Sequence, residues 1–343
     1  MPLRLNLRSQ PLVAALAALA VGTAGCSSNP VDAPPPTITP ASAAASPPVT
    51  GAPEGTVRPL GSDARSALFD PTTRSLVVLG PGPEGQSALT VLPPVAAPRI
   101  VLTPGPVTAM TSDGDGGLYL STRGGYLRVD VAAGAVDRVD VDGEADTDFT
   151  AIARREDGRL VLGTSDGAVL TLASDTTVEA RLGIFARVDA LVTQGNTAVV
   201  LDRGQTSVTT VDASGTKAAQ ALRAGEGATT MAADPQGRVL VADTRGDALL
   251  VFGTDPLIMR QRYPVPDAPY GLAGSTGLAW VSQTAANTVI GYDLSTGIPV
   301  EKVRHRTVQQ PNLLAYDDAS GTLYVVSGTG AGVQVLTDAA EPR

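Results

Sequence analysis

The side chains best suited to nucleophilic and zinc chemistry are scarce in this sequence. The 343-residue chain contains one histidine, His305, and one cysteine, Cys26. Serine and cysteine nucleophiles of the triad type need a histidine base, and a zinc site needs several histidine or cysteine ligands. His305 lies in the charged stretch KVRHRT, where we expect it to be exposed to solvent. The sequence therefore argues against hydrolases of these types and predicts no catalytic residue.

Carboxylates are more plentiful, and calcium needs only oxygen ligands. The densest acidic run is DRVDVDGEADTD at 137–148. Its spacing does not fit an EF-hand loop, because Ala145 stands where the sixth-position glycine is required and no acidic residue falls at the twelfth position. We interpret the run as a solvated acidic loop and expect no bound cofactor there.

A repeated unit must position the remaining polar side chains. The stretch VLVADTRGDALLVFG at 239–253 consists of two apolar strands around a polar turn, and the same pattern occurs seven times. Matching residues follow one another at steps of 42, 42, 39, 41, 41 and 42 residues, and they are Ala67, Ala109, Ala151, Ala190, Met231, Leu272 and Leu314. Four short strands in about 40 residues are typical of a propeller blade. We predict an all-β, seven-bladed β-propeller over 56–338, followed by a short tail at 339–343.

The two ends of the repeat array predict how the ring closes. The seventh unit ends near Thr337, before a fourth strand, and a lone β-like segment, TVRPL at 56–60, precedes the first unit. A closed ring leaves no strand edge unpaired if this segment supplies the missing outer strand. We therefore predict that 56–60 pairs with the blade at 311–337.

Two of the units resemble known repeats. VLVADTRGDALLVFG resembles the NHL repeat, and AWVSQTAANTVIGYDLSTG is similar to the YVTN-type repeat. The whole chain resembles bacterial envelope lipoproteins with propellers of these types, and its use of Ala, Gly, Pro, Arg and Val suggests an actinobacterial source. Related propellers include lactonases of the gluconolactonase type, which hold one calcium ion in the channel. The residues here that could serve as weak calcium ligands are Glu226, Asn312, Asp148 and Asp189.

The propeller fold also predicts where a ligand would bind. The loops that lead into the innermost strands and the hairpins between second and third strands lie on one face, which can vary without disturbing the ring. The candidate residues from the leading loops are Arg65, Thr108, Asp148, Asp189, Glu226, Tyr270 and Asn312. Those from the hairpins are Arg123, Asp166, Asp202, Arg203, Asp243, Arg245, Gln283 and Asn287.

Several of these residues have a structural interpretation as well. Asp202 and Asp243 stand where aspartates cap their own turns. Tyr270 and Asn312 open inner strands, where packing or a turn role is an alternative to ligand contact, and Trp280 is expected in the core between blades. Arg203 and Arg245 recur at one blade position, which suggests that both line one mouth of the channel.

The N-terminal region predicts export. Arg4 and Arg8, an apolar run over 11–21 and small residues before Cys26 read as a signal peptide at 1–25. The position of Cys26 resembles the bacterial lipobox, although Thr23 replaces the usual leucine. This resemblance implies a diacylglycerol anchor on Cys26 and a place on the outer face of the cytoplasmic membrane. Residues 26–55 are rich in Pro, Ala, Ser and Thr, which predicts a disordered tether.

The net charge of the chain restricts the kinds of partner that it can bind. The formal net charge of −9 becomes −11 once Arg4 and Arg8 leave with the signal peptide. An acidic surface repels nucleic acid, so no nucleic-acid partner is expected. The sequence favours a monomeric, lipid-anchored, non-enzymatic binding or scaffolding module for an envelope protein, peptide or glycan. A calcium-dependent lactonase-like hydrolase and a sensor of a small ligand are the alternatives.

Overall fold

Short apolar runs separated by Gly, Asp and Asn turns fold as antiparallel strands, because aliphatic side chains pack well on pleated sheets and the turn residues allow tight reversals. A computed structural model describes residues 36–341, and in this range the strands form seven four-stranded sheets. Each sheet is one blade, with its strands in chain order from the centre outward in the first six blades. The predicted seven-bladed β-propeller is confirmed. The predicted signal peptide and Cys26 lie outside the described residues.

The strands are numbered in chain order. The closing strand and the first three blades consist of β1 (Thr56–Arg58), β2 (Ser66–Asp70), β3 (Ser75–Pro81), β4 (Ser87–Leu92), β5 (Arg99–Leu102), β6 (Ala109–Ser112), β7 (Gly117–Thr122), β8 (Gly125–Asp130), β9 (Val136–Asp140), β10 (Phe149–Arg154), β11 (Leu160–Thr164), β12 (Ala168–Leu172) and β13 (Val178–Gly183). A 3-10 turn, Pro83–Gly85, joins β3 to β4.

The other four blades continue this numbering. They consist of β14 (Ala190–Gln194), β15 (Thr197–Asp202), β16 (Ser207–Val211), β17 (Ala218–Arg223), β18 (Ala228–Asp234), β19 (Arg238–Asp243), β20 (Ala248–Thr254), β21 (Leu257–Pro264), β22 (Pro269–Gly274), β23 (Ala279–Gln283), β24 (Thr288–Asp293), β25 (Val300–Arg306), β26 (Pro311–Asp317), β27 (Thr322–Ser327) and β28 (Val333–Leu336). No helix in 36–341 has the length and hydropathy that a membrane span requires.

The core lies between neighbouring blades. Seven clusters of buried apolar side chains, one at each blade interface, hold the described part of the ring together. At the interface between the sixth and seventh blades, Trp280 is fully buried and stacks on Tyr316 with ring centroids 5.6 Å apart. The prediction that Trp280 belongs to the core is confirmed.

The last blade is closed by the N-terminal strand, as the sequence predicts. β1 pairs antiparallel with β28, with Val57 opposite Gln334. Gln334 is fully buried, and its amide nitrogen donates to the carbonyl oxygens of Glu54 at 2.7 Å and Arg306 at 2.8 Å. Its amide oxygen accepts from the N–H of Val308 at 3.1 Å. This one side chain therefore links the closing segment to the sixth and seventh blades.

His305 belongs to the same closure, and the expectation that it is exposed to solvent is wrong. Its side chain is 2% exposed, with Nδ1 2.9 Å from a carboxylate oxygen of Glu54 and Nε2 2.8 Å from the carbonyl oxygen of Ala339. Side chains alternate between the two faces of β25, and His305 falls on the buried face with Val303. The histidine thus connects residues near both ends of the described chain.

The two faces of the ring carry different connections. We call the upper face the one formed by the loops leading into the innermost strands and by the hairpins between second and third strands. The lower face carries the turns between first and second strands and between third and fourth strands. The predicted binding residues come from the upper face.

Candidate binding face

Two buried aspartates build the hairpins of the upper face in the fourth and fifth blades. Asp202 accepts hydrogen bonds from the N–H groups of Ala186 at 2.8 Å and Gln205 at 2.9 Å. Asp243 accepts from the N–H groups of Gly227 at 2.8 Å and Gly246 at 3.1 Å. Each carboxylate therefore caps its own turn and also fastens the loop that leads into its blade, which confirms the structural interpretation of both.

Arg203 and Arg245 do not stand at one blade position, so that expectation is wrong. Arg203 directly follows the aspartate that ends β15, whereas Arg245 is the second residue after the aspartate that ends β19. The two hairpins have the same length, but the Arg-Gly pair lies one position later in the second. Nevertheless, the two guanidinium groups contact the same part of the chain.

That part of the chain is the segment 37–47, which we call the strap, and it crosses the upper face over the fourth to seventh blades. Over the fourth blade, the N–H of Ile38 donates to the carbonyl oxygen of Gly204 at 2.7 Å. Arg245 donates to the carbonyl oxygen of Thr39 at 2.8 Å, and Arg203 donates to that of Ala41.

Over the sixth and seventh blades, Ser46 is the centre of the strap contacts. Its N–H donates to the amide oxygen of Gln310 at 3.0 Å, and its hydroxyl donates to the carbonyl oxygen of Thr284 at 2.5 Å and accepts from the N–H of Gln310 at 3.0 Å. Asn287 donates to the carbonyl oxygen of Pro47 at 2.8 Å. Gln310 also donates to the carbonyl oxygen of Ala44 at 2.8 Å.

The strap lies inside the range for which composition predicts a disordered tether. Its few large side chains give it no hydrophobic pattern, yet the disc supplies donors and acceptors for its main chain. Composition reports how much apolar surface a segment can bury, and it does not report hydrogen bonds from outside the segment. Residues 37–47 therefore lie on the upper face, although their composition predicts a disordered tether.

Upper-face loops and adjoining residues of the second to fourth blades carry paired charges. Arg123 lies 3.1 Å from Asp148 and 3.0 Å from Asp146, and the hydrogen bond to Asp146 raises the pKa of Arg123. Arg187 lies 3.1 Å from Asp189. A further pair joins Arg181 to Glu144 at 2.8 Å and to Asp166 at 3.4 Å. Both partners are exposed in the Arg123 pairs, which therefore contribute little to stability, whereas the carboxylates of Asp189 and Glu144 are largely buried.

The central channel opens beside these charges. It holds a cavity of about 590 Å³, lined by the innermost strands of all seven blades. The seven aligned repeat positions all line it, from Ala67 to Leu314. Most lining side chains are alanine, leucine, methionine, valine or threonine, and the charged lining residues of the described chain are Arg65 and Asp189. The channel lining thus mixes small apolar side chains with threonine hydroxyls, and its charged residues come from the loops at the upper mouth.

The four candidate calcium ligands do not converge. Of the four, Asp189 alone lines the described channel, where its carboxylate accepts from Arg187 and from the N–H of Arg203. Asp148 is paired with Arg123, and the amide oxygen of Asn312 accepts from Gln310. Across residues 36–341, no cluster of three or more His, Cys, Asp or Glu side chains could hold a metal ion.

The other candidate residues have mainly structural contacts. Gln283 is fully buried, donates to the carbonyl oxygen of Pro266 at 2.7 Å and accepts from Arg304 at 2.9 Å. The carbonyl oxygen of Tyr270 accepts from the hydroxyl of Thr230, and that of Glu226 accepts from Arg245 at 3.2 Å. None of these contacts points to a ligand.

Sequence reasoning missed Thr284, Gln309 and Gln310, which hold the strap. Gln310 adopts a left-handed backbone with φ of 55°, which is uncommon for a residue other than glycine. In the sequence, Gln310 stands in TVQQPN, directly before a proline and an inner strand, and this is the feature that could have indicated its special position.

Comparison with known proteins adds support for the fold. No protein-family model matches the sequence, and no curated protein is similar to it. A chain of the mitotic checkpoint complex superposes with a TM-score of 0.67 at 12% identity, covering 84% of this chain and 98% of that one. A streptogramin B lyase superposes with a TM-score of 0.65 at 10% identity, covering 83% and 97% respectively. At such low identity, these likenesses show that the chain shares the propeller fold with a component of an assembly and with a lyase.

Proposed function

We propose that this protein is a non-enzymatic binding module of the bacterial envelope, anchored through a lipid on Cys26, which holds a partner protein on the upper face. The observation that carries the proposal is the group of paired charges on the second to fourth blades, beside the mouth of the central channel. Charged side chains on a binding face contribute to the specificity and association rate of a protein interface more than to its affinity.

A binding role also agrees with the contacts of the acidic and amide side chains. Asp202 and Asp243 use their carboxylates to hold loops, and Asp148, Asp189 and Asn312, three of the four candidate calcium ligands, each bind a different partner. A lactonase-like hydrolase would need several of them around one ion. We therefore expect EDTA to change the melting temperature by less than about 1 °C, since only a protein that binds metal in its native state is stabilised by it.

The number of residues between Cys26 and the strap limits the distance between the disc and the membrane. If Cys26 carries the lipid, about ten residues separate it from the first strap residue, and an extended chain spans at most about 3.6 Å per residue. The upper face near the fourth blade then lies within roughly 35 Å of the lipid surface. We propose that the partner is recruited close to the membrane. A Cys26→Ala variant is expected to leave the membrane fraction, and unchanged fractionation would contradict the anchor.

Crosslinking and affinity capture from native envelopes test the binding role. An Arg123→Glu/Arg187→Glu variant reverses two charges on the upper face, and we expect it to lose the captured partner. The matched control is Arg159→Glu on the lower face, where Arg159 is paired with Asp157 and Glu179 in the same manner. Equal capture by all three proteins would contradict the proposed interface.

A further inference from the structure

The strap is bound mainly through its main chain. Nine hydrogen bonds join residues 37–47 to the described disc, and seven of them use strap N–H or carbonyl groups. The groove that provides these contacts, which we call the strap groove, consists of Arg203, Gly204, Gly227, Arg245, Thr284, Asn287, Gln309 and Gln310. Main-chain recognition depends on an extended backbone and is largely independent of side-chain identity.

Two positions of the strap nevertheless require a particular side chain. Ala41 is 8% exposed, and a Cβ added at Gly227 would lie 3.0 Å from the Ala41 Cβ, so no space remains for a longer side chain at either position. Five residues later, the Ser46 hydroxyl both donates and accepts within the groove. Pro47 follows, and its carbonyl oxygen accepts from Asn287. The groove thus selects a small residue and, five positions on, a serine.

The strap buries little apolar surface of its own. Ile38, its largest apolar side chain, is 38% exposed, and residues 49–52, which connect the strap to the closing segment, are exposed. Such a segment stays in place largely because its short connection gives it a high effective concentration. A competing segment of the same chemistry can replace it when it is held nearby.

We propose that the strap groove is a binding site for an extended segment of a partner protein, with a small residue and a serine five positions later, and that the strap occupies this site in cis. This inference shares with the proposed function only the use of the upper face. It assigns a second site, distinct from the paired charges of the second to fourth blades, and it names the chemistry of the ligand.

The test separates the strap from the chain, so that it no longer competes at a high effective concentration, and it leaves the disc intact. Residues 49–52 are replaced by a site for a specific protease, the folded protein is cut there, and the released strap is dialysed away. A fluorescent peptide with the sequence of 36–48, PTITPASAAASPP, is then titrated. We expect saturable binding to the cut protein and at least tenfold weaker binding to the uncut protein, where the strap competes.

Variants distinguish specific binding from adhesion. Ala41→Gln in the peptide and Arg203→Ala/Arg245→Ala in the protein should each weaken binding by about tenfold, the factor expected for about 1.4 kcal/mol. Arg159→Ala/Arg260→Ala, at a lower-face position and an outer-strand position that the strap does not contact, should leave binding unchanged. Absence of binding, equal binding by cut and uncut protein, or equal binding of the Ala41→Gln peptide would overturn the proposal, as would exchange of straps between two copies seen as a dimer. Capture of a partner that still depends on Arg123 and Arg187 would separate such a failure from failure of the proposed function.

Discussion

Two parts of the N-terminal segment lie on the disc in different ways. β1 joins a sheet, where it forms a ladder with β28, next to Gln334, which is fully buried. The strap joins no sheet, and it is held by side chains that reach across the upper face to its carbonyl oxygens. The first kind of contact completes the fold. The second kind covers a surface without extending any sheet.

Deleting 56–58 should have the largest effect on stability. It removes three ladder pairs and leaves β28 as an exposed edge, which we expect to cost about 3 kcal/mol or more at about 1 kcal/mol per lost hydrogen bond. The melting temperature should fall by roughly 10 °C, at about 2–4 °C per kcal/mol. Deleting 36–48 is the comparison, and it should cost much less. Equal losses would show that the strap, like β1, belongs to the fold.

His305→Ala should have the next largest effect. It removes the contacts with Glu54 and Ala339 and leaves a cavity beside Trp280, with an expected loss of about 2–3 kcal/mol in the free energy of unfolding. Lys302→Ala, an exposed position on the same strand, is the control and should change stability by less than about 0.5 kcal/mol. Chemical denaturation measures both, and a neutral His305→Ala would contradict the role of the histidine in closure.

The closure should also weaken in acid. Burial raises the pKa of Glu54, but hydrogen bonds from His305 and from the N–H of Arg306 outweigh it, so the pKa lies below its ordinary value of 4.5. A carboxylate with a lowered pKa stabilises the fold above pH 4.5, and this contribution is lost as the pH falls through the pKa of the folded state. The melting temperature of Glu54→Gln should therefore lie below that of the parent above this pH and approach it in stronger acid. A constant difference across the range would contradict the linkage.

Arg203→Ala/Arg245→Ala should have the smallest effect on stability. The variant loses two hydrogen bonds to the strap, and we expect the melting temperature to fall by less than about 2 °C. Hydrogen exchange at Ile38 and Ser46, whose N–H groups donate to the disc, should nevertheless become about tenfold faster or more. Unchanged exchange would show that these arginines do not hold the strap.

Repetition made most of the fold predictable. The aligned positions from Ala67 to Leu314 all line the channel, since a period near 40 residues places equivalent residues at equivalent radii. β1 was predictable because the seventh unit lacks a strand. Asp202 and Asp243 were predictable because turn capping is local.

The strap and the closure contacts of His305 could not be predicted in the same way. The strap binds through carbonyl groups, which every residue carries, so its sequence of Pro, Ala and Ser gives no sign of the partner groups. His305 lies in a charged stretch, and only its alternation with Val303 in β25 indicated the buried face. Both depend on residues that are far apart in the chain, and a pattern within one repeat does not report such contacts.

A designed disulfide tests the position of the strap most directly. An ideal Cβ at Gly204 lies 3.6 Å from the Cβ of Thr37, which is close to the separation of about 3.8 Å found in disulfides. In a Cys26→Ala background, we expect Thr37→Cys/Gly204→Cys to form a disulfide under mild oxidation, detected by mass spectrometry. Thr37→Cys/Arg123→Cys, which uses the equivalent hairpin of the second blade, should remain reduced. Equal crosslinking of the two pairs, or none in the first, would contradict the strap as described.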